Sequence, residues 1–141
     1  FALHHAENPS DLIDKQAVSG LAAWEYWAEA LETGEAKRDH HTYNLGLWLE
    51  CREMAVTFLQ EAKERLFGRC DDLFDEASTH YAEVCEKLRM LLELHPARDE
   101  PNWGANSTFA SAEAAAIVRQ AAEADANGLN VLQRVFDCIS G

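Results

Sequence analysis

Arg52 sits in the middle of an apolar helical face, where a guanidinium needs a counter-charge. Wound at about 100° per residue, residues 42–66 place Leu45, Trp48, Leu49, Val56 and Leu59 around Arg52, with Glu50, Glu53, Thr57, Gln60 and Glu64 opposite. An unpaired guanidinium in that setting would be strongly destabilising. A carboxylate must therefore approach it, and Asp125, on the edge of the last apolar stripe between Ala121 and Leu132, is the candidate. Asn44 lies two turns before Arg52 on the same face, and His80 is a further polar group at the margin of a neighbouring stripe. Trp24, Trp27 and Trp48 surround this set with aromatic surface.

Three kinds of chemistry fit such a constellation. A buried ion pair would fix the register of two helices. A polar anchor inside a ligand cavity would use Arg52, Asp125 and Asn44, with Trp24, Trp27 and Trp48 as walls for a cationic or flat apolar molecule. Catalysis is the least supported. No Ser, His and Asp arrangement with a nucleophile elbow occurs, nor does a glycine-rich phosphate loop or an H-E-x-x-H. We therefore assign no catalytic residue, and the reading leans away from an enzyme.

The metal-ligating residues are as sparse. Glu76 and His80 are spaced i, i+4 on one flank, but di-iron bundles need paired Glu-x-x-His motifs, and none is present. His4 and His5 would point to opposite sides of an extended lead. His40 and His41 open a helix where the dipole disfavours their protonated form, which suits solvent exposure for at least one of them. We expect no metal and no cofactor. The alternative is a metal-dependent bundle enzyme that uses His40 or His41 with His80 and a carboxylate.

The elements that would position these residues are four helical patterns. Asn8-Pro9-Ser10-Asp11 reads as a helix start, and Ile13, Ala17, Leu21, Trp24, Ala28 and Leu31 recur at helical steps up to Gly34. The second pattern, 39–67, has the widest apolar sector, because Leu47, Met54 and Phe58 extend it; that width predicts the central helix. Leu73, Phe74, Ala77, Tyr81, Val84, Leu88 and Leu91 form the third stripe, ended by His95-Pro96. Residues 96–105, with two prolines, a glycine and Trp103, suit a crossover or a lid. The capping triple Asn106-Ser107-Thr108 starts the fourth pattern, whose alanine-rich first half allows close approach of a partner helix and which stays in phase across Asn127-Gly128. Short connections make neighbours antiparallel. The expected fold is thus all-α: one domain over residues 1–141, an antiparallel four-helix bundle running up-down-up-down, with helices at about 9–33, 39–67, 71–95 and 107–139.

With 25 acidic against 12 basic residues the formal charge is −13, which argues against nucleic acid as a partner. No apolar run approaches the roughly 18 residues of a membrane span, and no signal-peptide pattern opens the chain. Phe1 in place of Met fits an excerpt or a processed product. Cys51, Cys70, Cys85 and Cys138 are widely spaced without a C-x-x-C pair, so they read as reduced, mostly buried thiols of a cytoplasmic protein.

The run GLAAWEYWAEALE at residues 20–32, the segment 44–66 with Glu50, Arg52 and Phe58-Leu59, and the stretch from His80-Tyr81 to Pro96 carry a resemblance. They resemble the helical region of bacterial proteins of the butirosin biosynthesis protein H type. In those proteins a papain-like, C39-peptidase-like domain is accompanied by helices that open G-L-x-A-x-x-x-W-x-x-x-L-E. The likeness covers roughly residues 10–96 and rests on packing positions. The family's cysteine nucleophile and histidine belong to its other domain, so no catalytic residue is carried over; what the resemblance implies is an accessory helical module. The functional expectation is a non-enzymatic module that binds a small cationic or aromatic molecule, or a protein partner. A purely structural, oligomerising bundle, such as a homodimer, is the architectural alternative.

Overall fold

The computed structural model describes residues 20–66, 68–94 and 107–141. The expectations for His4 and His5, for a helix start at Asn8, and for a lid at residues 96–105 lie outside that set. Within it are four helices: α1 at Leu21–Thr33, α2 at Arg38–Arg65, α3 at Asp71–Leu94 and α4 at Ala112–Ser140. Two short strands, β1 at Ala36–Lys37 and β2 at Thr108–Phe109, pair antiparallel with Ala36 opposite Phe109 and Lys37 opposite Thr108.

Each helix end has a local cause. Gly20 adopts φ 67°, ψ −151°, a conformation outside any α-helix and open mainly to glycine, so α1 begins at Leu21; the part of the stripe expected to start near residue 9 lies outside the described residues. Gly34 closes α1 in the left-handed region at φ 78°, and the Glu35 N–H reaches back to the Ala30 carbonyl at 3.0 Å. The last helix starts at Ala112, later than the capping triple suggested, because residues 108 and 109 are taken by β2. Its cap is Ser111, whose Oγ accepts from the Ala114 N–H at 3.1 Å.

Inter-helix contacts establish an antiparallel bundle. Lys63 meets Asp75 while Glu53 meets Arg89, so α3 runs back along α2. Arg134 meets Glu76 while Gly128 meets Tyr81, so α4 runs back along α3. On α1, Glu25 meets Arg119 and the Leu31 carbonyl accepts from the Ser111 N–H, so α4 also runs against α1. The backbones pack in the order α2, α3, α4, α1. Between α1 and α2 the bundle is bridged by side chains and stays partly open.

The central helix is α4, not α2. It buries a continuous face from Ala114 to Val135, whereas α2 buries only His41, Leu45 and Leu59. Leu47, Met54 and Phe58, whose presence suggested a second covered face on α2, are exposed. The core has two parts. An upper cluster sets Trp24, Trp27 and Leu31 of α1 against Ala114, Ala115, Val118 and Ala121 of α4, the small alanines making room for the indoles. A lower cluster holds Leu59, Phe74, Ala77, Tyr81, Val131 and Val135.

The cysteines differ from the reduced reading. Cys70 and Cys138 form a disulfide that ties the α2–α3 corner to the end of α4; Cys51 is exposed, and only Cys85 is a buried thiol. Among the described residues no helix is long and apolar enough to cross a membrane.

Candidate functional site

Arg52 and Asp125 meet between the two core clusters. Arg52 Nε donates to Asp125 Oδ1 at 2.7 Å and Nη2 donates to Oδ2 at 3.0 Å, a two-point contact of the geometry that guanidinium and carboxylate favour. Trp24 Nε1 donates to the same Oδ2 at 3.0 Å. One carboxylate thus joins α1, α2 and α4. The side chains are 25% and 9% exposed, so the pair is largely withdrawn from water without being sealed. Burial alone would lower the Arg52 pKa; the hydrogen bonds to Asp125 and its charge outweigh burial and hold the guanidinium above its ordinary value. Tyr81, beneath the pair, has its phenol pushed up to about 12 by burial and by the Asp125 charge, with Arg52 pulling the other way.

Above the pair stand three indoles. Trp24 and Trp27 stack at 6.0 Å between centroids, and Trp48 of α2 places its ring edge-on to both, 4.2 Å from Trp24 and 5.7 Å from Trp27. Trp27 Nε1 donates to His41 Nδ1 at 2.9 Å, which requires an unprotonated Nδ1. The His41 ring in turn packs edge-on to Phe109 of β2 at 5.2 Å. The ring set therefore connects α1, α2 and the strand pair.

Where α1 and α2 diverge, Trp27, His41 and Trp48 form the floor of an open cleft of about 560 Å³. Trp27, His41, Asn44 and Trp48 line its inner part; Tyr26, Glu29, Glu35, Lys37 and His40 line the outer part. That volume lies within the roughly 300–1,000 Å³ of small-molecule sites. Its walls combine aromatic faces with exposed carboxylates.

Six residues were expected to share one binding cavity. Trp27, Asn44 and Trp48 do line the cleft. Trp24, Arg52 and Asp125 stand behind it, joined to one another, and Trp24 is 1% exposed. His41, Tyr26, Glu29 and Glu35 were not singled out as binding residues. His41 carried a signal, since it falls one turn before Leu45 on the buried side of α2; the others come together only because β1 and Gly34 turn the chain.

No family model, curated protein or solved structure matches the chain. The geometry stands alone.

As for metals, no group of three or more His, Cys, Asp and Glu side chains among the described residues is placed to hold an ion. Glu76 is engaged by Arg134 and not by His80. His40 and His41 are at the opposite end of α2 from the level of His80, roughly 30 Å away at 1.5 Å per helical residue. An ion shared between them is therefore geometrically excluded.

Proposed function

We propose that this chain is a non-enzymatic helical module that binds a small organic cation in the cleft between α1 and α2. The observation that supports it best is the lining of that cleft. Trp27 and Trp48 offer aromatic surface, and Tyr26, Glu29 and Glu35 stand at the mouth. A cation over an indole face gains about 0.5–2 kcal/mol, more as it is desolvated, and the two carboxylates add attraction that a neutral ligand does not feel. Lys37 sits at the same mouth and sets a limit on how much positive charge the ligand can carry.

In this reading Arg52 and Asp125 are structural supports of the site. They hold Trp24, and Trp24 is the surface against which Trp48 leans. His41 does the same for Trp27 through its Nδ1. The resemblance to the helical region of butirosin biosynthesis protein H-type proteins would set such a module beside a papain-like domain, as a holder of small molecules accessory to it.

The test is a calorimetric titration with benzyltrimethylammonium and with its neutral isostere neopentylbenzene. The cation should bind at least about fivefold more tightly, the equivalent of one cation–aromatic contact. The Glu29→Gln/Glu35→Gln protein should lose much of that preference. Equal binding of both probes, or of neither, would contradict the reading.

A further inference from the structure

The outer side of α2, turned away from the core, carries Tyr43, Leu47, Cys51, Met54 and Phe58 in a single row at steps of four, four, three and four. Exposure reaches 69% at Tyr43, 43% at Leu47, 64% at Met54 and 66% at Phe58. Single exposed apolar side chains need no explanation. A continuous row at helical steps of three and four is different, because it is the stripe a helix shows to a partner surface. These residues contribute to neither core cluster.

The charge beside the row is mostly acidic, with the exposed Arg65 in line with it beyond Phe58. Glu50, Glu53, Glu61 and Glu64 flank it, and with Met54, Thr57 and Phe58 the first three of these line a shallow groove of about 380 Å³. Glu53 is held by Arg89 at 2.8 Å. Among the described residues Glu50, Glu61 and Glu64 have no ion-pair partner. A second copy of the chain laid antiparallel on this face would set the same carboxylates against each other, on molecules that each carry a formal −13. A helix with apolar residues on one side and Lys or Arg beside them would meet both features at once.

We infer that the outer face of α2 is a docking surface for a basic amphipathic helix of a partner protein, seated on Leu47, Met54 and Phe58 and bordered along one flank by Glu50, Glu61 and Glu64. The surface shares no lining residue with the α1–α2 cleft. It stands or falls independently of the cleft's ligand. Its recognition mode is the laying of an apolar helical side into a matching face, with charge setting direction and salt dependence.

The probe is a fluorescein-labelled peptide of leucine and lysine at heptad spacing, followed by anisotropy, with a leucine and glutamate peptide of the same pattern as control. The lysine peptide should bind and the glutamate peptide should not. Met54→Ala/Phe58→Ala leaves every charge in place, and both side chains are exposed, so the far-UV circular dichroism and melting curve should be unchanged while binding weakens at least about tenfold. Glu50→Gln/Glu61→Gln should weaken it too and flatten its salt dependence. Undiminished binding by Met54→Ala/Phe58→Ala would show unspecific charge attraction and overturn the inference. So would sedimentation showing self-association of the unmodified protein that the same double substitution abolishes, since the face would then belong to a second copy.

Discussion

Replacing Arg52 with methionine removes the guanidinium and keeps most of the apolar stem. Asp125 then retains one of its three hydrogen bonds, that from Trp24 Nε1 at 3.0 Å, in a position where its side chain is 9% exposed. Stripping one partner from a fully buried pair costs about 3–5 kcal/mol, because the charge left behind is uncompensated. Arg52 is a quarter exposed, so water can follow into the space it leaves and solvate part of the carboxylate. The expected loss is therefore about 2–3 kcal/mol for Arg52→Met. Urea denaturation followed by circular dichroism, with an unchanged slope, is the appropriate assay. The double substitution Arg52→Met/Asp125→Leu should recover much of the loss, since two apolar groups replace two charges of similar size, and the cycle isolates the coupling. A loss below about 1 kcal/mol for Arg52→Met, the range of an exposed surface pair, would refute the view that this contact pins α2 to α4.

Tyr81 provides a pH test. Its phenol titrates near 12 in the folded chain against an ordinary 10.0, so the folded state keeps this proton longer. The corresponding stability is complete below pH 10 and is lost as pH climbs from 10 to 12, about 2–3 kcal/mol in all; denaturation over that window should show the decline, and Tyr81→Phe should flatten it. Gly128→Ala places a Cβ 3.0 Å from the buried Tyr81 ring. The overpacking, about 1–3 kcal/mol, should exceed the roughly 1 kcal/mol that alanine adds to a helix, leaving a net loss in melting temperature where a bare propensity argument expects a gain. The disulfide closes a separation of 68 residues, so Cys70→Ser/Cys138→Ser should lose up to about 4 kcal/mol of stability by the loop-closure argument. Thiol titration of the unreduced, denatured protein should find the two free cysteines, Cys51 and Cys85.

The bundle was legible because apolar residues three and four apart recur in four long patterns, and short connections leave few ways to arrange them. The ion pair was legible for a related reason: Arg52 is in phase with Leu45, Leu49, Val56 and Leu59, and a charge on such a face demands a partner on another. What periodicity does not carry is whether an apolar face is covered. Leu47, Met54 and Phe58 are as apolar as Leu45 and Leu59, yet they point outward, so the wide sector made α2 look central when α4 is. Two-residue strands leave no period to detect, so the meeting of Ala36–Lys37 with Thr108–Phe109, which shapes one end of the cleft, was invisible. A disulfide across 68 residues depends on how the last turn of α4 returns to the α2–α3 corner, and spacing along the chain does not report that. Gly20 is in phase with the stripe, but its backbone conformation keeps it outside α1.

The indole N–H resonances of Trp27 and Trp48 read out the cleft most directly, because both rings line it while Trp24 is sealed behind them. In a two-dimensional proton–nitrogen spectrum titrated with benzyltrimethylammonium, the Trp27 and Trp48 signals should shift and saturate together, and the Trp24 signal should stay in place. Neopentylbenzene at the same concentrations should move them little. Shifts that fail to saturate, or that leave Trp27 and Trp48 untouched while other resonances move, would show that the cleft between α1 and α2 is not where this protein holds a cation.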